Sequence, residues 1–329
     1  MPSVRKVYYH PLIQYSLAGM LILATVVVLL PSSSIIPLRW SIIYAELLAI
    51  VLVLGGLILF AFGQSRIPAW TALACSAAIC LTLRQTTNST IHYSQPEGSG
   101  TVFSVAVFNT NNTGTDIRGS ARAILKTNPS LILVQEMDPT WSRIIREIIQ
   151  ADYPYVYENP GLGLDGMGVY SQFPLFDANY SSIGGQPMVV GQLQFTPRHF
   201  DRVHFVSTHP DRVLSSEDLN RSIAHLDTLA QFCAQLPKPY LVGGDFNTVN
   251  WSEEIYTFRN NTGLHDSRHG WKPSLSGGLN FTHTPLDHLF YSKWLRCLDF
   301  RSIDHAGVIV GVVGRYQTIE PNAQQTTEF

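Results

Sequence analysis

Long apolar stretches dominate the first quarter of the chain, whereas shorter apolar runs alternate with polar segments in the rest. Residues 11–30 and 42–62 each match the roughly 20 apolar residues that a helix needs to cross a bilayer. Residues 68–83 form a third apolar stretch, which is shorter and richer in alanine. We therefore predict a transmembrane region over residues 1–84 with two or three helices, followed by a polar linker over residues 85–100.

The charges that flank these stretches predict their orientation. A cleaved signal peptide does not explain three successive apolar runs, and a soluble bundle of such helices would need a larger polar shell. In a three-span arrangement, Arg5, Lys6 and Arg66 lie on one side of the membrane, and Arg39 and Arg84 lie on the other. The positive-inside rule then favours a non-cytoplasmic globular domain, and a two-span arrangement would reverse this sidedness.

The pattern over residues 101–316 predicts an α/β domain, followed by a polar tail at residues 317–329. The predicted strands are residues 101–108, 131–135, 153–157, 168–171, 188–195, 202–207, 239–242, 281–284, 286–291, 296–303 and 306–313. The predicted helices are residues 116–126, a helix that opens at Pro139, residues 215–235 and residues 252–261. Several of these strands end in polar residues, and the candidate chemistry lies there.

The most informative strand end is the segment 241–248, in which a buried strand runs through two glycines into Asp245 and Asn247. Residues two apart in an extended segment point to the same side, so these two polar side chains would converge while Phe246 turns into the core. A carboxylate beside a carboxamide suits a site that orients water and holds a phosphate oxygen. An ordinary Asp-Phe-Asn turn is the alternative for this segment taken alone.

Three further polar residues stand at or near predicted strand ends. Glu136 follows the apolar strand 131–135 and is either a ligand for a hard cation such as Mg²⁺ or an acid at the start of a helix. His209 precedes a proline and is either an acid or phosphate donor or a histidine satisfied by a turn. Asp287 interrupts an apolar segment, where a carboxylate needs a partner.

Taken in order, these strand ends resemble the motifs of the DNase I-like endonuclease/exonuclease/phosphatase superfamily over residues 101–313, in particular its membrane-anchored bacterial members. The motifs are Phe108-Asn109, Gln135-Glu136, Thr208-His209, Gly244-Asp245-Phe246-Asn247, Leu286-Asp287-His288 and Asp304-His305. The resemblance implies a four-layer α/β sandwich, with two packed mixed β-sheets flanked by helices, here preceded by the transmembrane helices. It also implies a multi-pass protein of the bacterial inner membrane.

The resemblance implies a metal and phosphate site built from four of these residues. Glu136 would bind the divalent metal, Mg²⁺ or Mn²⁺, with Asn109 alongside it and Asp304 as a further carboxylate on the metal side. Asn247 would hold the phosphate, and Asn109 would also lie against the substrate.

The catalytic roles that the resemblance implies fall on the other four residues. Asp245 would orient or deprotonate the attacking water, and His209 would donate to a phosphate oxygen. His305 would contact the scissile phosphate or act as acid and base, oriented by Asp287. Hydrolysis of a phosphate ester needs charge neutralisation, an activated water and a protonated leaving group, and this set can supply all three.

Charge helps to choose among substrates. Charged residues make up only 14% of the chain, against about 25% in typical soluble proteins. From residue 85 onward, 17 Lys and Arg stand against 23 Asp and Glu, a net charge of −6. Tight binding to duplex DNA usually needs a basic surface. We therefore predict a metal-dependent phosphoesterase acting on small or lipid-linked substrates near the bilayer. The alternatives are a Mg²⁺-dependent endo- or exonuclease acting on DNA or RNA, and a non-catalytic membrane scaffold.

Overall fold

The computed structural model divides the chain into two units, which we call the helical unit and the α/β unit. The helical unit comprises Met1–Thr87 with Trp251–Glu253, and the α/β unit comprises Asn88–Asn250 with Glu254–Phe329. The structure describes residues 11–30, 41–62, 66–88, 90, 92–113, 116–149, 152–196, 202–269 and 285–319. The predicted strand 281–284 lies outside the described residues.

The helical unit contains three helices that are long and apolar enough to cross a membrane. They are α1 (Pro11–Leu29), α2 (Ala45–Phe62), which a 3₁₀ turn at Ser41–Tyr44 precedes, and α3 (Ile67–Thr86). Helix α3 extends beyond the predicted stretch 68–83 at both ends, which gives it 20 residues. All three helices therefore reach the length of about 20 residues that a bilayer demands.

Small residues bring α2 and α3 together. A Cβ added at Gly56 would lie 3.0 Å from the side chain of Leu73, so a larger residue would push the helices apart. Nearby, the buried Ser76 hydroxyl donates to the backbone oxygen of Ala49 at 2.9 Å. Close approach through small residues and a hydroxyl bond between helices are both typical of helix packing in membranes.

The α/β unit contains two sheets, each with six described strands, in the orders β11-β12-β1-β2-β4-β3 and β5-β6-β7-β8-β10-β9. The strands are β1 (Val102–Asn109), β2 (Leu131–Gln135), β3 (Tyr155–Asn159), β4 (Met167–Ser171), β5 (Leu175–Ile183), β6 (Gln186–Gln194), β7 (Arg202–Thr208), β8 (Tyr240–Asp245), β9 (His265–Asp266), β10 (Asp287–Tyr291), β11 (Leu295–His305) and β12 (Val308–Thr318). The helices are α4 (Ile117–Leu125), α5 (Pro139–Ile149), α6 (Ser216–Gln235) and α7 (Glu253–Thr262). Both sheets mix parallel and antiparallel pairs, as predicted.

Three apolar clusters hold the layers together. The central cluster joins the facing sides of the sheets, where Val107 and Leu133 of the first sheet meet Leu241 and Leu289 of the second. A second cluster packs the first sheet against α4 and α5, and a third packs the second sheet against α6 and α7. The order helix, sheet, sheet, helix confirms the predicted four-layer sandwich.

The sheet register places the predicted strand ends at one edge of the sandwich. In the first sheet β1 runs parallel to β2, with Asn109 beside Gln135. In the second sheet β7 runs parallel to β8, and Asp287 of the antiparallel β10 stands opposite Asp245. Because the carboxyl ends of parallel strands share an edge, the polar residues that end these strands are gathered there.

Two ends of predicted segments need correction. The last strand continues to Thr318 instead of ending at Val313, because Tyr316 is buried and pairs with Phe103. Part of the predicted linker is also attached to the α/β unit. The Asn88 side chain donates to the backbone oxygen of Asp266 at 2.8 Å, and the ring of Tyr93 stacks on that of His269 with their centroids 4.2 Å apart.

Gly244 is required by the close approach of β7 and β8. A Cβ there would lie 1.8 Å from the backbone oxygen of Thr208. We expect Gly244→Ala to lower the free energy of unfolding by at least about 2 kcal/mol, since neither strand can move without loss of packing. Unfolding of the detergent-solubilised chain by denaturant measures this. Gly163→Ala is the control, because a Cβ there meets nothing within 4 Å; equal midpoints for both variants would contradict the prediction.

Candidate active site

The carboxamide of Asn109 joins two carboxylates that come from different sheets. Asn109 ends β1 and is fully buried, and its Nδ2 donates to Oε1 of Glu136 at 2.7 Å and to Oδ2 of Asp245 at 2.9 Å. Its own Oδ1 accepts the backbone N–H of Asn111 at 2.9 Å, which fixes the orientation of the amide. One side chain thus sets the spacing between the two acids.

Glu136 has an unusual backbone conformation that its neighbours impose. It follows β2 with a φ of 55°, in the left-handed region that favours glycine. The hydroxyl of Thr110 donates to its backbone oxygen at 2.5 Å, and the next residue, Met137, donates its N–H to the backbone oxygen of Gly166 at 2.9 Å. Conformations of this kind persist at functional sites where the surroundings hold them.

Asn247 is held in the same way beside Asp245. Its φ is 52°, its backbone N–H donates to Oδ1 of Asp245 at 2.9 Å, and its Nδ2 donates to the backbone oxygen of Pro210 at 2.8 Å. Both oxygens of the Asp245 carboxylate therefore accept a hydrogen bond. The predicted convergence of these two side chains at the end of β8 places a carboxylate and a carboxamide together at the edge of the sheet.

His209 lies between the carboxylate of Glu136 and the backbone of Asp245. Its Nδ1 is 2.9 Å from the backbone oxygen of Asp245, which can only accept, so Nδ1 carries a hydrogen. Its Nε2 is 3.1 Å from Oε1 of Glu136.

Burial by itself would lower the pKa of His209, but Glu136 and Asp245 outweigh burial and raise it. Burial likewise would raise the pKa of Glu136, but the bonds from His209 and Asn109 lower it. Both shifts act in the same direction, because each favours the charged form of its own group beside the other.

Asp287 adds a third buried carboxylate. It stands opposite Asp245 in the ladder between β10 and β8, and no hydrogen bond reaches its Oδ1 within the described part of the chain. Burial, and then the charge of Asp245, raise its pKa well above the ordinary value. Acids this close need a proton or a cation to relieve their repulsion.

The donor atoms fit a hard divalent cation that keeps part of its water shell. Among the described residues, no group of three or more His, Cys, Asp and Glu side chains is placed so that it could hold a metal ion by itself. However, Mg²⁺ is usually bound through one or two carboxylates and several waters. Asn109 and His209 both contact Oε1 of Glu136, so Oε2 is the oxygen on which such an ion would sit. Oδ1 of Asp287 is buried and receives no hydrogen bond among the described residues, so a cation nearby would also stabilise this side chain.

Asp304 and His305 lie in the hairpin between β11 and β12. Asp304 is exposed, and its Oδ1 accepts the N–H of Gly307 at 3.2 Å, so it is not among the acids gathered at Asn109. Nε2 of His305 lies 2.8 Å from Oδ2 of Asp116, the residue that caps α4.

The predicted pairing of His305 with Asp287 is therefore wrong. Nε2 of His305 is bonded to Asp116, and no hydrogen bond among the described residues reaches Oδ1 of Asp287, which stands opposite Asp245. A register shift between Ile303 and Asp304 changes the direction in which the following side chains point. Asp116 occupies the place that the prediction gave to Asp287.

The sequence reasoning missed Arg212 as well as the pairing role of Asp116. Arg212 is exposed three residues after His209, and its positive charge contributes to the lowered pKa of Glu136. The signal in the sequence was a cation closely following a histidine at a strand end. Asp116 stands at the start of the predicted helix 116–126, where its carboxylate accepts from the N–H of Gly119 at 2.8 Å, but its second partner, His305, was not predicted.

The raised pKa of Asp287 makes stability depend on pH. A carboxyl with a higher pKa in the folded chain stabilises it fully below about pH 4, and this contribution is lost as pH rises through the folded value. We expect Asp287→Asn to raise the unfolding temperature at pH 7 in chelator, with the advantage disappearing toward pH 4. Thermal unfolding at several pH values measures this. Asp152→Asn, an exposed acid in another turn, is the control; a variant less stable than the parent at pH 7 would refute the expectation.

Comparisons with known proteins agree with this fold. A family model described as the Endonuclease/Exonuclease/phosphatase family matches residues 106–308. The search of curated proteins finds no match. An endonuclease/exonuclease/phosphatase structure from Beutenbergia cavernae is 14% identical, with a TM-score of 0.54 over 66% of this chain and 72% of that chain.

Two further structures extend the comparison. A family protein from Bacteroides thetaiotaomicron is 14% identical, with a TM-score of 0.53 over 68% of this chain and 100% of that chain. TDP2 from D. rerio, complexed with a single-strand DNA product, is 13% identical, with a TM-score of 0.52 over 66% of this chain and 100% of that chain. At these identities the structures show a shared fold. Since the family model covers more than half of the sequence, the chain belongs to the endonuclease/exonuclease/phosphatase family.

Proposed function

We propose that the chain is a membrane-anchored, metal-dependent phosphoesterase that hydrolyses a small or lipid-linked phosphodiester or phosphomonoester with an activated water. The observation that carries this proposal is the carboxamide of Asn109, which holds Glu136 and Asp245 at 2.7 and 2.9 Å. The family supports the reaction class, because it comprises endonucleases, exonucleases and phosphatases.

Asp245 is the residue that would orient and deprotonate the attacking water. Its two oxygens are fixed by the side chain of Asn109 and the backbone of Asn247, which hold the carboxylate in one orientation. Asn247 uses one N–H on Pro210, so the rest of its carboxamide is available for a phosphate oxygen.

His209 and Arg212 would supply positive charge to the phosphate. The raised pKa of His209 favours the protonated imidazole, in which Nε2 would donate to a phosphate oxygen or to Glu136. Arg212 is exposed, and its positive charge contributes to the lowered pKa of Glu136. It would therefore bind an incoming phosphate group at the rim. Such donors act where negative charge develops in the transition state.

Glu136 and Asn109 would hold a Mg²⁺ or Mn²⁺ ion. When bound, the ion supplies charge neutralisation at the phosphate oxygens. Asp304 has no part in this proposal, because its carboxylate caps the turn at Gly307. His305 would act from the rim as an acid or a phosphate contact, with Asp116 as its partner.

The membrane and the charge balance support the choice of substrate. Three helices are long and apolar enough to span a bilayer, and the net charge of −6 from residue 85 onward does not favour a long polyanion. The positive-inside rule places the α/β unit outside the cytoplasm if all three helices span. A nuclease is the second candidate, because the similarly folded TDP2 was solved with a single-strand DNA product.

Loss of the central acids tests the activity. We expect Asp245→Asn and Glu136→Gln each to lower kcat/KM by about 10²-fold or more, because the water loses its base or the cation its ligand. Hydrolysis of bis-p-nitrophenyl phosphate by the full chain in nanodiscs measures this, with chelator expected to abolish turnover and Mg²⁺ to restore it. Asp152→Asn is the control variant, since this acid is exposed in another turn.

The same assay separates the candidate functions. Phospholipid in vesicles and single-stranded DNA are offered beside the soluble ester. Cleavage of DNA alone would favour the nuclease. If no substrate is turned over with any divalent metal, and Asp245→Asn changes no biological readout, the chain is a scaffold.

A separate comparison tests the part played by His305. We expect His305→Ala to lower kcat by about 10-fold or more, and Asp116→Asn by less, because asparagine keeps the helix cap but loses the charge. If the two residues act as a pair, the double variant should be no slower than His305→Ala. Steady-state kinetics on the soluble ester measure this. Full activity of His305→Ala would show that the pair is only a surface contact.

A further inference from the structure

Two leucines project from a tight loop at the rim of the active site. The loop spans residues 161–166, and it exposes Leu162 by 98% and Leu164 by 44%. Single exposed apolar residues are ordinary on protein surfaces. Two in one short loop, separated only by Gly163, make an apolar tip that has no apolar cover among the described residues.

The loop is held in place by the residue after Glu136. Gly161 donates its N–H to the backbone oxygen of Met137 at 3.1 Å, and Met137 donates its N–H to the backbone oxygen of Gly166 at 2.9 Å. A Cβ at Gly166 would lie 2.0 Å from the oxygen of Met137, so this closure requires glycine. The apolar tip is therefore fixed relative to Glu136.

A third exposed leucine follows the other strand end of the site. Leu214 comes five residues after His209 and is 66% exposed. Its N–H donates to Oδ2 of Asp218 at 3.1 Å, which ties the segment to the start of α6. Arg212 lies between His209 and Leu214 in the sequence and is exposed. Its positive charge contributes to the lowered pKa of Glu136. Both segments that leave the site thus carry exposed apolar side chains, and the second also carries the exposed Arg212.

We propose that Leu162, Leu164 and Leu214 insert into a lipid surface, so that the site meets a phosphate group borne by that surface. A bilayer is the occupant that the chain itself indicates, because three of its helices are long and apolar enough to span one. Apolar side chains on such elements enter the boundary between headgroups and acyl chains, and Arg212 suits the phosphate there. Hydrolysis of that phosphate ester rests on the proposed function, whereas insertion of the leucines into lipid does not.

Lipid contact can be measured without turnover. Leu162→Trp in the full chain, reconstituted in nanodiscs of phosphatidylcholine, should gain fluorescence that brominated phosphatidylcholine quenches. Phe176→Trp is the matched control, because Phe176 is 41% exposed but pairs with Gln192 at the end of β5 remote from the site. Equal quenching of the two added tryptophans, or none at position 162, would overturn the proposal.

Turnover then separates the two proposals. Replacing Leu162 and Leu164 together by serine should lower hydrolysis of bilayer phospholipid at least about fivefold and leave hydrolysis of soluble bis-p-nitrophenyl phosphate unchanged. An equal loss on both substrates would overturn the lipid role and make the loop a support for Glu136. If the parent chain hydrolyses neither substrate, the proposed function fails, and quenching at position 162 still decides the lipid contact.

Discussion

The structure depends on one buried carboxamide. Asn109 gives both hydrogens of its Nδ2 to acids that belong to different sheets, Glu136 and Asp245. A buried carboxylate without a partner is costly, so each sheet must end where the amide can reach it. The parallel pairing of β1 with β2, and of β7 with β8, meets that condition. The packing of the two sheets and the geometry of the site are thus a single constraint.

That constraint leaves the site short of positive charge. Glu136, Asp245 and Asp287 are three buried acids, and the pKa of His209 beside Glu136 and Asp245 is raised. Burial and the negative charge of Asp245 raise the pKa of Asp287, which indicates that negative charge exceeds positive charge at this point. Fold stability alone would favour fewer acids here, because buried charges are tolerated only when paired. A site that concentrates acids in this way is suited to a cation and to a ligand whose own charge the cation offsets, which is the requirement of phosphoester chemistry.

Strand periodicity predicted where the apolar runs end, at Asn109, at Gln135 just before Glu136, and at Asp245. That these ends form one site was implied by the family resemblance, because the pairing of the strands is not recorded in the alternation. The partner of His305 did not follow, because it depends on a register shift after Ile303 that no local pattern records. The last strand was predicted to end at Val313 and the polar tail to begin at residue 317, yet the strand continues to Thr318, with Tyr316 and Gln317 buried. Apolar and polar patterns therefore predict which residue ends a strand better than they predict the direction of the side chains that follow a register shift.

In the proposed function, the residues that select the substrate differ from the residues that carry out the hydrolysis. The acids and amides stand on strand ends that the core fixes, whereas the loop 161–166 and the segment after His209 form the rim. Loops on a rigid scaffold vary without disturbing the layers beneath them. A neighbour that shares the sheets and was solved with DNA therefore tells little about what this rim accepts. The exposed leucines and the exposed Arg212 differ from the dense basic surface that a polyanion needs, and this difference favours a ligand with one phosphate and an apolar body.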